Sequence, residues 1–250
     1  MTSVSTLFYD SVGRVAGVFH PKRRGARFVI LLGGPGAGKD TLAARLAPKL
    51  NLPELNMGKI LRREIAEQTP IGREWGPRVK RGELVPDHVI KQLLKRELRK
   101  PEFERGAVVN GMPRTKRQAR QLRWMLACLG NAIEAVIFLD VPKEDLLVRL
   151  GMRRTCKKCG KVYHLKFMPP KQEGVCDIDT CRGELIQRDD EKPEAIVVRM
   201  GEFARTFAPL RHYLERLGLL TVVQSTNEFG PDKVFTDVLF QLEEGCGCGG

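Results

Sequence analysis

Gly33-Gly34-Pro35-Gly36-Ala37-Gly38-Lys39-Asp40-Thr41, at residues 33–41, has the composition of a phosphate-binding loop. It follows an apolar run at residues 28–32 and precedes a helical pattern at 42–47, which is the context such a loop requires. Glycines let backbone N–H groups curl around phosphate oxygens, and the N-terminus of the next helix adds partial positive charge. Glycine turns before helices are common, but this spacing of glycines and lysine after a buried strand is not. We therefore predict a nucleotide-binding loop in which Lys39 bridges the β- and γ-phosphates.

Apolar runs and helical patterns alternate along most of the chain. We predict strands at residues 28–32, 107–111, 135–140 and 219–223, and further helices at 57–68, 71–81, 87–100, 115–129, 142–153, 189–217 and 231–242. Strands that alternate with helices indicate an α/β fold, a parallel sheet covered by helices on both faces. Ligands of such sheets bind at the carboxyl ends of the strands, where the predicted loop lies.

The composition is that of a globular protein. Charged residues make up 29% of the chain and hydrophobic residues 42%, and no apolar run approaches the roughly 18 residues of a membrane span. The net charge of +13 favours polyanionic partners such as nucleotides. Residues 1–26 are basic and nearly free of acids, which fits a basic tail or an organellar transit segment. We favour the tail and a cytoplasmic location.

Four of the seven cysteines form the pattern Cys156-x2-Cys159-x16-Cys176-x4-Cys181. This spacing is typical of metal binding rather than of disulfides, and four thiolates suit a closed tetrahedral site for structural zinc. Asp179 stands where a second Cys-x2-Cys would place its last ligand, so three thiolates and one carboxylate are the alternative to Cys181, which we favour. Four free cysteines are the third option. Zinc would stabilise a segment with few large apolar residues by about 10 kcal/mol.

Three further motifs carry a family resemblance. They are Gly111-Met112-Pro113-Arg114-Thr115 with Gln118, then Arg149-x3-Arg153, and finally Gln187-Arg188-Asp189-Asp190 with Arg199. With these motifs and the loop, the chain resembles the adenylate kinases of the long-lid, zinc-carrying type over about residues 28–242. The resemblance implies reversible phosphoryl transfer between Mg²⁺-ATP and AMP, which gives two ADP.

The resemblance also implies a division of the chain. A P-loop core with a three-layer α/β/α arrangement and a five-stranded parallel sheet would comprise residues 27–55, 86–151 and 190–244. A helical flap at 56–85 would bind the monophosphate, and a zinc-ribbon-like lid at 152–189 would be inserted in the core, with the extension 1–26 and a Cys/Gly tail 245–250 outside it. Flap and lid would close to exclude water, which would otherwise hydrolyse ATP. Most enzymes of this kind are monomers, and we expect one here.

Residues that match the family's motifs are given roles by the resemblance. The transition state of phosphoryl transfer carries charge on its peripheral oxygens, which guanidinium groups bind well. The implied catalytic residues are Lys39, Arg114, Arg149, Arg153, Arg188 and Arg199. The implied ATP-binding residues are Gly36, Ala37, Gly38, Lys39, Asp40, Thr41, Arg149, Arg153, Val162 and Tyr163. The implied AMP-binding residues are Met57, Arg62, Glu83, Leu84, Val85, Gly111, Met112, Pro113, Arg114, Gln118, Arg188 and Arg199, where Gln118 reads the adenine edge.

The sequence departs from the family pattern in three places. Asp40 replaces a glycine, Asn110 replaces an aspartate, and Met57 and Lys59 replace a threonine and an aspartate of the flap. Asn110 cannot supply the charge that would hold the water shell of magnesium, so we hypothesise that this carboxylate has moved from position 110 to position 40. The alternative is drift towards a weakened or inactive enzyme. Met57 replaces a hydroxyl near the base of the monophosphate by an apolar thioether. This change would either loosen the selectivity for the base or simply let Met57 pack on adenine.

Two other functions compete with the kinase. A nucleotide sensor with little turnover would explain the departures, but it would not need the arginines that contact only the transferring group. A nucleic-acid-binding ATPase would use the positive charge, but aromatic residues make up only 6% of the chain and the cysteine-rich segment lacks a stacking platform. We expect ATP, AMP and ADP as ligands, AMP ahead of other monophosphates, and neither nucleic acid nor membrane as a partner.

Overall fold

The described part of the chain runs from residue 25 to residue 246 in a computed structural model, with side chains described to residue 244. Most of the predicted extension 1–26 and of the tail 245–250 lies outside it. The strands are β1 (Arg27–Gly33), β2 (Glu54–Asn56), β3 (Gly106–Asn110), β4 (Ala132–Asp140), β5 (Arg153–Cys156), β6 (Val162–His164), β7 (Leu185–Ile186) and β8 (Leu220–Gln224). The helices are α1 (Lys39–Lys49), α2 (Met57–Ala66), α3 (Pro70–Lys80), α4 (Asp87–Glu97), α5 (Lys116–Cys128), α6 (Lys143–Gly151), α7 (Pro193–Glu215) and α8 (Pro231–Cys246).

Five strands form one parallel sheet in the order β2-β3-β1-β4-β8. Alternate side chains of β1 point to opposite faces of the sheet. Phe28, Ile30 and Leu32 pack with α4, α5 and α7. Val29 and Leu31 pack with α1 and α8 on the other face. Helices therefore cover both faces, and the prediction of a three-layer α/β/α fold with a five-stranded parallel sheet is confirmed.

The strand β2 is not among the strands predicted from the sequence. It has only three residues, too few for a periodic pattern, and it joins the sheet by pairing with β3 so that Asn56 lies opposite Asn110. The predicted helix over 189–217 is also interrupted. Residues 189–191 form a 3-10 turn, and α7 begins only at Pro193, because proline suits the first position of a helix.

Two segments extend from the sheet. Helices α2 and α3 lie between β2 and α4, within the predicted flap. Strands β5, β6 and β7 form a small antiparallel sheet in the order β6-β5-β7 between α6 and α7, within the predicted lid. Both segments border the carboxyl ends of β1, β3 and β4. No helix between residues 25 and 246 is long and apolar enough to cross a membrane.

Candidate active site

The predicted phosphate-binding loop connects β1 to α1 at the carboxyl end of the sheet. Gly36 and Gly38 have φ angles of 82° and 91°, in the left-handed region that glycine tolerates best. A Cβ at Gly36 would also lie 2.9 Å from Cγ of Leu150 in α6. Because α1 begins at Lys39, the free N–H groups of its first turn adjoin the loop. This geometry suits an anion at the N-terminus of α1.

Lys39 lies across this loop. Its Nζ donates to the carbonyl oxygens of Gly33 and Gly34, at 2.8 Å each. Burial lowers the pKa of Lys39 to about 7; the carboxylate of Asp40 opposes this shift, and the guanidinium of Arg114 adds to it. A bound phosphate would favour the charged ammonium. Lys39 is thus placed where a polyphosphate would restore its charge.

Three predicted arginines converge on the loop and share two carboxylates. Arg153 pairs with the fully buried Glu191 at 3.3 Å, and Arg188 also contacts Glu191. Arg199 donates to the backbone oxygen and to Oδ2 of Asp190, at 2.9 and 3.0 Å. Three guanidinium groups this close would repel one another, and the two carboxylates offset that repulsion. Glu191 and Asp190 therefore hold the arginines together, a role that the sequence analysis did not assign to them.

Arg149 is anchored by the segment that connects β8 to α8. Its Nε donates to Oδ1 of Asn227 at 2.8 Å, and its guanidinium donates to the hydroxyl and the carbonyl oxygen of Ser225. Asp145 in turn accepts from the backbone N–H and the side-chain amide of Asn227, at 2.8 Å each. Asn227 and Ser225 thus fix the direction of Arg149, although nothing in the local sequence marks them.

Every residue predicted to bind nucleotide lines one cavity between the loop, the flap and the lid. Arg62 and Arg114 also line this cavity, and both side chains are exposed there. Burial by the surrounding chain lowers the pKa of Arg114 to about 10, and the guanidinium of Arg199 adds to the shift. The structure therefore brings the predicted site residues together, and their individual roles stay predictions.

Two side chains of this cavity are already engaged elsewhere. The buried amide of Gln118 accepts from the backbone N–H of Arg114 at 2.8 Å and donates to Oδ1 of Asp87 at 2.9 Å. To form hydrogen bonds with adenine, the amide of Gln118 would have to give up its bonds to Arg114 and Asp87. The buried Tyr163 donates from its hydroxyl to Sγ of Cys176 at 3.3 Å. The same hydroxyl accepts from the backbone N–H of Asp177 at 2.7 Å, so it is engaged within the lid.

Asp40, the departure inside the loop, is held chiefly by Arg153 and Asn110. It forms an ion pair with Arg153, and its Oδ1 accepts from Nδ2 of the buried Asn110 at 2.8 Å. Burial alone would raise the pKa of Asp40, but Arg153 and Asn110 hold it well below its usual range. Asp40 is therefore ionised at neutral pH, next to the lysine of the loop.

Glu54 at the start of β2 is a second carboxylate at this place, and the sequence analysis missed it. Nδ2 of Asn110 donates to Oε1 of Glu54 at 3.0 Å as well as to Asp40, so the amide of Asn110 lies between two carboxylates. Asn56 also donates to both, at 2.9 and 3.2 Å. Oε2 of Glu54 pairs with Lys59 at 2.6 Å. An aspartate at position 110 would be repelled by both carboxylates, which explains why Asn110 occurs together with Asp40.

The four predicted cysteines converge in the lid, with all their sulfur atoms within 4.8 Å of one another. Sγ of Cys156 lies 3.5 Å from that of Cys181, and Sγ of Cys159 lies 3.6 Å from that of Cys176. Tetrahedral zinc with Zn–S bonds of about 2.3 Å requires sulfur atoms about 3.8 Å apart, so the donor set fits that ion. Asp179 is not part of the cluster, so the geometry favours Cys181.

The apolar core of the lid is very small. The buried residues are Cys156, Tyr163 and Cys176, with Cys181 and Leu185 packed against them. The backbone N–H of Cys159 approaches Sγ of Cys156 at 3.5 Å, as expected for a thiolate at a turn. So few apolar contacts would hardly keep a segment of this size folded without a cross-link or a metal.

Comparisons with known proteins agree with this geometry. Residues 31–219 match the adenylate kinase family. The adenylate kinase of Archaeoglobus fulgidus is 41% identical over 200 residues, which cover 80% of this chain and 91% of that protein. The adenylate kinase of Thermodesulfovibrio yellowstonii is 39% identical over 216 residues, 86% of this chain and 99% of that protein. That of Staphylococcus epidermidis is 38% identical over 215 residues, 86% of this chain and 98% of that protein.

Proposed function

The chain belongs to the adenylate kinase family, and on that premise we propose that it catalyses the reversible reaction of Mg²⁺-ATP and AMP to two ADP. The observation that carries the proposal is the convergence of Lys39 and six predicted arginines on one cavity beside the phosphate-binding loop: Arg62, Arg114, Arg149, Arg153, Arg188 and Arg199. Phosphoryl transfer needs positioning and positive charge more than covalent help, and this cavity offers both. Formation of ADP from the two substrates tests it.

We propose that the residues divide between the two nucleotides. The loop and Lys39 hold the triphosphate, with Arg149 oriented by the β8–α8 segment. Arg62 and Arg114 hold the phosphate of AMP. Phosphate oxygens would replace Asp190 and Glu191 as partners of the arginines that these carboxylates now bind. The positive charge of these arginines would then stabilise the transferring group. The flap at 56–85 and the lid at 152–189 exclude water when they close.

We also propose that the four cysteines bind structural zinc and that the protein is a monomer in the cytoplasm. All four sulfur donors are used within the lid, which leaves no open position for catalysis. Thiols that are to bind zinc must stay reduced, which favours a reducing compartment.

A mass near 28.1 kDa in light scattering supports the monomer, and twice that mass contradicts it.

Magnesium, which neutralises phosphate charge in this family, would be organised here by Asp40 and Glu54. Asn110 donates its amide to both carboxylates and thereby keeps them close together without repulsion from a third acid. On this proposal the carboxylate that the family carries at position 110 is supplied from position 40, with Glu54 beside it. Asp40 would exchange its contact with Arg153 for the water shell of the ion when ATP releases that arginine.

Exchanging the residues at positions 40 and 110 tests this relocation. Asp40→Gly is expected to lower kcat/KM about 10- to 100-fold because it removes a carboxylate of the magnesium shell. Asn110→Asp is expected to be similarly harmful because it places a third carboxylate between Asp40 and Glu54. The double variant should recover most of the activity, since the site again holds two carboxylates, Glu54 and the acid introduced at position 110. Steady-state rates measured across a range of Mg²⁺ concentrations check all three variants.

Glu102, exposed on the turn after α4, offers a matched control. Glu102→Gln removes one carboxylate far from Asn110 and should leave the Mg²⁺ dependence unchanged. If the double variant of positions 40 and 110 loses as much activity as the two single variants combined, the relocation is contradicted.

Lys39 should couple ATP binding to pH. With a pKa lowered to about 7 by burial, Lys39 is mostly neutral at pH 8, and the phosphates of ATP favour its charged form. ATP binding at pH 8 is therefore expected to take up close to one proton, and Lys39 should contribute little at pH 6, where it is already charged. Calorimetry in buffers of different ionisation enthalpy measures this uptake. Lys39→Met should abolish it; an unchanged uptake in that variant would assign the proton to another group.

A further inference from the structure

The outward faces of α4 and α5 form an unpaired basic surface. Six exposed cations define this α4/α5 basic face: Lys91, Lys95, Lys116, Arg117, Arg120 and Arg123. No acidic side chain of α4 or α5 is exposed, and among residues 25–246 none of the six cations takes part in an ion pair. Elsewhere on the described surface many lysines and arginines are paired, as Arg205 is with Glu202 and Lys233 with Asp237. Part of the net positive charge is therefore concentrated here.

An exposed aromatic ring lies within this face. Trp124 is 63% exposed, the largest exposed fraction of any aromatic side chain between residues 25 and 244. Nζ of Lys91 lies 5.9 Å from the centre of its ring, and Gln121 lies beside it in a shallow depression. A single exposed apolar ring is ordinary by itself, but an exposed ring among cations offers a stacking surface together with partners for phosphates.

The cations are spaced to follow a chain of phosphates. Lys116, Arg120 and Arg123 lie at helical positions i, i+4 and i+7, so they form a stripe about 10 Å long on α5. Lys91 on α4 lines the same shallow depression as Lys116 and Arg120, and Lys95 follows it one turn later on that helix. No residue of this face lines the nucleotide cavity, so it is a separate surface.

We propose that the α4/α5 basic face binds single-stranded nucleic acid, with phosphates on its cations and one base stacked on Trp124. Unpaired bases stack on exposed aromatic rings, whereas the bases of a duplex are already stacked on one another. An anionic membrane would need several large apolar side chains to insert, whereas the depression beside Trp124 is lined by cations and Gln121. The sequence prediction of no nucleic-acid partner rested on the low aromatic content of the chain, 6%, and on the lack of a stacking platform in the cysteine-rich segment. The α4/α5 basic face is a different surface, and one exposed ring is enough to stack one base.

Fluorescence anisotropy with a labelled oligouridylate of about 12 nucleotides tests the proposal. Saturating Mg²⁺-ADP keeps the oligonucleotide out of the nucleotide cavity. Trp124→Ala is expected to weaken binding about tenfold because the base no longer stacks, without a change in salt dependence. Lys91→Ala with Arg120→Ala should weaken binding as well and reduce the slope of log K against log salt by about 1.4, or about 0.7 for each phosphate that is no longer neutralised. A duplex of the same length should bind more weakly and be insensitive to Trp124.

The matched control is Arg205→Ala with Lys233→Ala, which removes two paired cations outside this face. It should leave oligonucleotide binding unchanged, and all these variants should keep the phosphoryl-transfer activity of the parent chain. No binding at low salt would overturn the proposal, as would an equal loss in the control pair. Binding to vesicles of anionic phospholipid that depends on Trp124, without binding to the oligonucleotide, would replace nucleic acid by a membrane as the partner.

Discussion

Lys39→Met is expected to lower kcat about a thousandfold, because it removes a preorganised positive charge that would stabilise the transferring phosphoryl group. Lys39 reaches across the loop to two backbone oxygens 2.8 Å away, and it is surrounded by Arg114, Arg153 and Arg199. Its ammonium can therefore follow the phosphates without a change in the fold. Because the lysine contacts charge that develops during transfer, kcat should fall more than the affinity for ATP. Steady-state kinetics and calorimetry with ATP measure the two quantities separately.

Lys49→Met is the control for this variant, because it removes an exposed lysine from the other end of the same helix. Kinetics close to those of the parent are expected for it. A Lys39→Met enzyme that retained kcat within about threefold would contradict the assignment of Lys39 to the transferring group.

Cys176→Ser is expected to remove bound zinc and to unfold the lid. Cys176 is fully buried, and its sulfur meets both the thiol of Cys159 and the hydroxyl of Tyr163. Without the ion the small core of the lid loses a contribution of about 10 kcal/mol. Zinc content should fall from about one ion per chain to nearly none, and proteolysis between residues 157 and 184 should accelerate at least about tenfold.

The same variant should also impair transfer. Arg153 begins β5 and Arg188 follows β7, so the folded lid positions both arginines. We expect kcat to fall about a hundredfold, as for a misplaced catalytic group. Cys128→Ser changes an exposed cysteine outside the cluster and should alter neither zinc content nor kcat. One zinc retained by Cys176→Ser would contradict the four-cysteine site.

The layered fold could be predicted because its signals are local. The buried run at residues 28–32 and the glycine loop mark β1 and α1 without any knowledge of distant residues. β2 has no such signal, since three residues after Pro53 show no period and belong to the sheet only through their pairing with β3. The apolar runs predicted only four strands, whereas the resemblance to adenylate kinases implied a sheet of five.

The candidate site could be predicted only in part. Its arginines stand in motifs, but the residues that hold them are far away in the sequence: Ser225 and Asn227 lie more than 70 residues from Arg149. Glu54 lies 56 residues before Asn110, and a carboxylate on a short strand looks like any surface acid. The departures at positions 40 and 110 were visible in the sequence, whereas their direct contact through one amide became apparent only in three dimensions.

The most direct test of the account is ADP formation from Mg²⁺-ATP with AMP, and then with GMP, CMP and UMP, followed by chromatography. We predict robust turnover with AMP, and slower or no turnover with the other monophosphates. Turnover with another base in preference to AMP would contradict AMP as the acceptor and would direct attention to Met57. No turnover with any monophosphate, alongside clear nucleotide binding by calorimetry, would contradict the central claim and identify a nucleotide-binding protein that is not an active kinase.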